Sequence, residues 1–422
     1  MSELAVKTWQ RWLLIVVVAL GAGLWLWTRD EALDPRALAW LEEVAAPGES
    51  TAYHQLMGLD APAGQDAAAA GRQILEAHRQ WRAQHRYHEP MVADAESAHI
   101  ALPGKALCAL AEGDCQQRLR ADRAGLDALL ARHAELLERY QRLLALDDYR
   151  TLGLPSADEP LANFISLDRA NRLLAARALA LADAGRGDEA LALLQQDVAR
   201  LRAWLAQADN LILKMVLGRL LGRDLDSLAV LVREGLIARP EPQPALSEAE
   251  RSLHMPMRRE FALLGNGFLY MMDDPQITAE LAGGAWQLSL LYKRHMTIND
   301  SLPAYLRVAE DSRLDPRAFV ELVQQGERPQ PGLWRRARNP IGVVLGGIAM
   351  PNFHVYLARM HDLDAKLALF ASLGQAVPEA DNPYYPGRKA SWNPEQRAYC
   401  FAGPLADERG LRCLPWTAPP VR

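Results

Sequence analysis

WLLIVVVALGAGLWLW, residues 12–27, is an uncharged run of sixteen residues set between Arg11 and Arg29. Its reading decides the rest, because it assigns most of the chain to one side of a membrane. At 1.5 Å per residue the run spans about 24 Å, and Trp9, Arg11 and Thr28 extend it toward the ~30 Å of a hydrocarbon core. Trp9, Trp12, Trp25 and Trp27 bracket it as aromatics at headgroup depth do. Lys7 and Arg11 precede it, whereas Arg29, Asp30, Glu31 and Asp34 follow, so the positive-inside bias keeps the N-terminus cytoplasmic. A cleaved signal peptide competes, with Ala19-Leu20-Gly21 as a small-residue site. Hydrophobicity that resumes through Leu24, Trp25, Leu26 and Trp27 speaks against it. The expectation is a retained signal anchor, residues 1–29, in a bacterial-type inner membrane, single pass, with the bulk of the chain periplasmic.

Working outward, half of the residues are hydrophobic, Ala and Leu prominent among them, and only 7% are aromatic. That balance favours helix over strand. The net charge of −5 argues against a nucleic-acid partner, which would call for a basic excess. Four cysteines suit an oxidising compartment, and their spacing predicts the disulfides Cys108–Cys115 and Cys400–Cys413. Loops this short contribute about 2.5 and 3 kcal/mol in the chain-entropy model. A zinc site is the alternative use of four cysteines, but neither pair has the tight spacing it wants.

Asp34-Pro35 opens a helix that runs to about Ala46, and a second covers 66–87. The pattern breaks from Glu89 to Asp114, around the first cysteine pair. Residues 117–146 predict one long helix, with Leu119, Leu126, Leu130, His133, Leu137, Tyr140 and Leu144 along a seam. His133 on that seam reads as a satisfied core residue. Another long helix covers 208–234. The alternating prolines of Arg239–Pro244 favour extended geometry and suggest a linker, 239–245, between a helical domain at 30–238 and a second at 246–376. Helices are expected there at 246–254, 257–268, 276–298, 302–310, 316–325 and 352–374. Ile341–Met350 is apolar but too short to cross a bilayer; a buried helix is expected, with an interfacial segment as the alternative. The 377–422 tail is rich in proline, glycine and aromatics, so short strands or turns pinned by the second disulfide are expected. The fold class is all-α: a transmembrane helix, then antiparallel helical hairpins, partly repeat-like, and a small stapled tail.

Ala178, Gly185 and Ala190, with Leu174, Leu181 and Leu194, have a spacing that resembles a tetratricopeptide repeat, whose helix pairs stack through small residues. The resemblance covers about 34 residues. It lacks the usual aromatic near Leu174, the alanine expected at Asp197 and the closing proline expected at Arg202, and no second copy occurs in 208–240. An ordinary helical hairpin fits the same residues.

Chemistry-bearing motifs are sparse. Among His78, His85, His88, Glu89 and His99, the weak metal candidates are His85, His88 and His99. Their order matches no zinc-protease pattern, and Arg72, Arg79, Arg82 and Arg86 oppose a cation, so a solvated basic helix face is the plainer reading. His354 and His361 are two helical turns apart, about 10 Å, too far for one metal without a third ligand. Asp273-Asp274 and Glu310-Asp311 suit helix capping. No G-x-S-x-G, S-x-x-K or phosphate-binding glycine loop occurs. No catalytic residue and no cofactor is assigned. The expected function is a membrane-tethered extracytoplasmic protein that binds another protein, as scaffold, chaperone-like factor or assembly subunit. A membrane-anchored hydrolase or metal-dependent enzyme is the alternative. Partners are expected to be a protein and, through the anchor, the lipid bilayer.

Overall fold

The computed structural model describes residues 2–45, 48–85, 99–104, 107–282, 284–325, 332–348, 350 and 352–418. They form mostly helix. α1 (Ser2–Thr28) contains a candidate membrane span, Trp9–Thr28, with none of its residues buried in the protein. α2 (Pro35–Ala45) follows. α3 (Thr51–Met57) starts where the Ser50 hydroxyl accepts from Tyr53 N at 2.9 Å, and α4 (Ala67–Gln84) where Asp66 accepts from Ala69 N at 2.7 Å. These bonds satisfy amide donors that a helix start leaves over. α3 and α4 cross so closely that a Cβ on Gly71 would lie 1.9 Å from the His54 carbonyl oxygen.

The segment expected as one helix at 117–146 is three: α5 (Cys115–Ala121), α6 (Arg123–Arg132) and α7 (Ala134–Leu143). One break has a local cause and the other a contact distant in sequence. The Asp122 carboxylate accepts from Gly125 N at 2.9 Å and so starts a new helix. His133 stands at the second break, its backbone outside helical values and its Nδ1 2.9 Å from the Ala101 carbonyl oxygen.

α8 (Phe164–Asp183), α9 (Gly187–Gln207) and α10 (Leu211–Arg233) build the largest core, with Asn163 and Asn210 capping α8 and α10. Gly185, at φ +76°, makes the turn between α8 and α9. α10 is buried on nearly every side, through Leu213, Leu217, Leu221, Leu225, Leu228 and Leu231. Burial on nearly every side marks a central helix. Each such leucine contributes about 2 kcal/mol of burial. α11 (Glu248–Arg251) carries a capping box between Ser247 and Glu250.

Beyond it lie α12 (His254–Met271), α13 (Pro275–Ala282), α14 (Ala285–Leu291) and α15 (Arg294–Asp311). The helix expected at 276–298 is therefore interrupted, at Gly284 (φ +152°) and again before Arg294. α15 instead runs through Pro303, which costs a backbone bond without ending the helix. α16 (Pro316–Gln325), α17 (Leu333–Arg338), α18 (Pro340–Ile348) and α19 (His354–Ala371) complete the helices. In the tail, β1 (Ser391–Asn393), β2 (Ala398–Cys400) and β3 (Cys413–Pro415) pair antiparallel in that order. Both disulfides are present: Cys108–Cys115, and Cys400–Cys413, which joins directly opposed residues of β2 and β3.

The chain divides into two compact units, both discontinuous in sequence. The first comprises residues 1–45, 261–305 and 327–351; the second comprises 46–260, 306–326 and 352–422. The proline run at 239–245, expected as a linker, lies inside the second unit. It is held there by Arg202, which donates to the Pro244 and Ala245 carbonyls at 2.8 and 3.1 Å, and by Arg239, which donates to the Ala371 carbonyl at 3.0 Å. In the first unit, Trp40 meets Phe261 edge-on at 5.7 Å, Phe261 meets Tyr305 at 5.6 Å, and buried Asn339 bonds Lys293 N and Thr297 Oγ1.

Candidate binding cleft

Within the second unit, an open cleft of about 810 Å³ lies between the first disulfide loop, α8, α10 and the strands of the tail. α8 supplies Arg172, and α10 supplies Arg219, Arg223, Asp226 and Arg233. The disulfide loop adds Glu112, Asp114 and Gln116; the tail adds Glu395, Arg397, Glu408 and Arg409. Helical spacing explains the α10 group, since Arg219, Arg223 and Asp226 are four and three residues apart on one face.

Asp168 of α8 organises the floor. Its Oδ1 accepts from Arg223 Nη2 at 2.6 Å and from Arg219, and its Oδ2 accepts from Arg172 Nε at 3.0 Å. Burial pushes the Asp168 carboxyl up, but the guanidinium groups of Arg223 and Arg219 outweigh it and hold the group at about 2. Arg172 reaches on to Glu112 at 3.3 Å, and buried Lys366 pairs with Asp226. Much of the charge is thus neutralised inside the protein, which is what buried ions require.

Behind the floor the network enters the core. Arg223 Nη1 donates to Asn171 Oδ1 at 3.0 Å, and Asn171 Nδ2 donates to Asp224 Oδ1 at 2.8 Å. Tyr140 donates its hydroxyl to Asp197 Oδ2 at 2.7 Å. Asp197 and Asp224 are both fully enclosed and hydrogen-bonded to each other. Burial, and next the Asp197 charge, push Asp224 well above the ordinary carboxylate range. Asp224 Oδ2 has no hydrogen-bond partner among the described residues. Two carboxyls at contact distance cannot both ionise in such a place.

On the open side, Arg397 and Arg409 are exposed with no side-chain partner among the described residues, and so are Glu395 and Glu408. Arg397 is the only non-glycine residue with positive φ (+49°) among the described residues, a conformation an L side chain holds at a cost of about 1–3 kcal/mol. The Trp416 amide, donating to the Arg397 carbonyl at 3.0 Å, keeps it there. Gln116 also lines the cleft, 4% exposed, and its Nε2 has no acceptor among the described residues. The lining includes no histidine, serine, threonine or free thiol among the described residues. Its groups are suited to recognition by charge and hydrogen bond, with both signs offered to a ligand.

The weak metal candidates take separate places. His85 caps the end of α4, bonds the Trp81 carbonyl through Nδ1 at 2.7 Å and stacks on the Trp81 ring at 4.8 Å. His99 lies 3.3 Å from Asp60, and His78 3.1 Å from Asp158. His88 and Glu89 lie outside the described residues. No group of three or more His, Cys, Asp or Glu side chains able to hold a metal occurs among the described residues. His354 and His361 do not join a site among the described residues either: His361 is enclosed against Phe319, centroids 4.8 Å apart, and both its ring nitrogens lack partners among those residues.

Sequence reasoning missed the cleft and its buried network. A signal existed: Asn171, Asp197 and Asp224 occupy the same helical stripes as Leu174, Leu201 and Leu228, where apolar residues belong. Asp197 is also the position where the repeat-like pattern departs from alanine. Compared with protein-family models, curated proteins and solved structures, the chain matches none.

Proposed function

We propose that this chain is a single-pass inner-membrane protein whose bulk lies in the periplasm, where it binds another protein as a scaffold, chaperone-like factor or assembly subunit. The anchor is α1, read as a retained signal anchor. α8 and α9 are read as an antiparallel hairpin with a repeat-like small-residue face, a form that stacks into broad binding surfaces. The observation that carries the reading is the cleft: unpaired Arg397, Arg409, Glu395 and Glu408 alternate in sign over a floor of pre-ordered arginines. A mixed-charge polar surface complements a folded or extended protein segment better than a uniform polyanion, because each sign needs its opposite across the interface. Tethering keeps it at high effective concentration beside a membrane-bound partner.

A photo-crosslinking residue placed at Ala111, Gln117 or Gln396 in living cells tests this. Each should give one adduct of the same mass, and the double charge reversal Arg397→Glu with Arg409→Glu should abolish it. The same residue at exposed Glu189 of α9, away from the cleft lining, should give none. Failure of all three cleft positions in a functional protein would remove the cleft from the binding surface.

A further inference from the structure

The first unit meets the end of the membrane span directly. Trp27 Nε1 donates to the Leu290 carbonyl of α14 at 3.0 Å, and its ring meets that of Trp334 in α17 edge-on at 5.5 Å. Arg338 Nη2 donates to the carbonyls of Leu26 and Arg29 at 3.3 and 2.7 Å, while Arg335 pairs with Glu31 and Asp300 at 2.8 and 2.6 Å. The span Trp9–Thr28 is twenty residues, about 30 Å of helix. If it crosses a bilayer, Leu26 and Trp27 lie at headgroup depth. The groups they touch must lie at that depth too.

At that depth the unit is unusually apolar on its outside. Leu333 is 83% exposed, Ile348 77%, Trp286 and Trp334 64% each, Val344 59% and Leu291 44%. They come from α14, α17 and α18, which contact one another or α1. α18 is nine residues long, about 13 Å, far too short to span. The polar groups interleaved with them suit the same layer: Arg338 lies over the Trp334 ring at 6.0 Å, and Arg29 over the Trp25 ring at 5.1 Å. Arginine beside tryptophan is what a headgroup region accommodates, the ring in the acyl boundary and the guanidinium among phosphates.

We propose that α14, α17 and α18 form a collar embedded in the membrane–water interface around the exit of α1. Their six exposed apolar side chains enter the leaflet from which the chain emerges, and the arginines of α17 face its phosphates. The occupant of this surface is lipid, because the contacts to Leu26, Trp27 and Arg29 set its depth within one compact unit. The inference rests on α1 as an anchor and adds that the first unit is itself part of the membrane attachment. The anchor thereby becomes one wall of a packed interfacial module.

The test uses the full chain in vesicles of phosphatidylethanolamine and phosphatidylglycerol. All four native cysteines are in disulfides, so an environment-sensitive fluorophore can be placed through single substitutions Leu333→Cys, Val344→Cys and Ile348→Cys. Glu42→Cys, at an exposed charged position of α2, serves as the aqueous reference. The three collar sites should be blue-shifted, quenched by lipids with a spin label near the headgroup, and quenched by aqueous iodide several-fold less than the reference. Equal iodide quenching at all four sites, in protein that resists carbonate extraction, would overturn the collar and leave the anchor standing. Protection from iodide without quenching by spin-labelled lipid would mean that a second copy or another protein covers the surface, and would overturn it too. Release by carbonate would overturn the anchor reading and the collar with it.

Discussion

Replacing Asp224 with asparagine should stabilise this protein, although it alters a fully enclosed, hydrogen-bonded residue. In the native core burial, and next the Asp197 charge, hold the Asp224 carboxyl well above the ordinary carboxylate range, whereas in the unfolded chain it titrates near 3.8. The raised native value means that, as pH climbs above 3.8, the unfolded chain releases a proton that the native state retains. Stability therefore falls with rising pH until the native value is reached. Each pH unit between the unfolded and the native value costs about 1.4 kcal/mol. An asparagine carries its donor permanently and has the same shape. It can accept from Asn171 through Oδ1 and donate to Asp197 through Nδ2. The exchange of an O–H donor for an N–H donor onto a carboxylate loses about 1–2 kcal/mol. The substitution is a net gain wherever the retained proton costs more than this. Because the chain has two compact units, the assay is local: hydrogen exchange of α8, α9 and α10 peptides in detergent. Exchange through local unfolding should slow at pH 7, and the advantage should vanish near pH 4.5, where holding the proton costs at most about 1 kcal/mol. The partner substitution Asp197→Asn should destabilise, since Tyr140 and Asn171 both donate to Asp197 Oδ2 and would lose a carboxyl oxygen there. Faster exchange in Asp224→Asn at pH 7, or an unchanged difference between the two pH values, would refute the shared-proton account.

His361 predicts the opposite pH behaviour. Burial, with Arg251 nearby, holds it at about 4, so it is neutral in the fold, and stability is lost as pH falls from 6.5 toward 4, by up to about 3 kcal/mol. His361→Leu should flatten that acid limb in a pH series of thermal unfolding; an unaltered limb would show that other groups carry it. Gly71→Ala should destabilise the α3–α4 pair by about 3 kcal/mol or more, because the new methyl meets the His54 carbonyl oxygen at 1.9 Å and backbone cannot yield as a side chain can. Wild-type exchange protection in the α3 and α4 peptides of that variant would contradict the close crossing.

Much of the fold was legible along the chain. The uncharged run before Arg29 reads as a single long exposed helix, the Leu-rich 208–234 stretch as the buried α10, and the tail as short strands. Both cysteine pairings followed from proximity in sequence. These features share one physical basis: helix periodicity, glycine turns and short covalent loops are set by residues within about a dozen positions of each other. The break at Asp122 lies within that range, whereas the one at His133 does not, since Ala101 is 32 positions away. A single apolar seam runs through both, and only the capping bond to Gly125 and the contact with Ala101 divide the helix. What the tertiary structure alone decided is long-range. Asn171, Asp197 and Asp224 each look like one misplaced polar residue on its own helix; they become a hydrogen-bonded network only when three helices meet. Arg397 and Arg409 join Arg219 and Arg223 across nearly two hundred residues, and the first unit is assembled from three separated segments. Burial of a charge is tolerable only with a partner at bonding distance, and no sequence pattern records which distant residue supplies it, because that choice is made by packing.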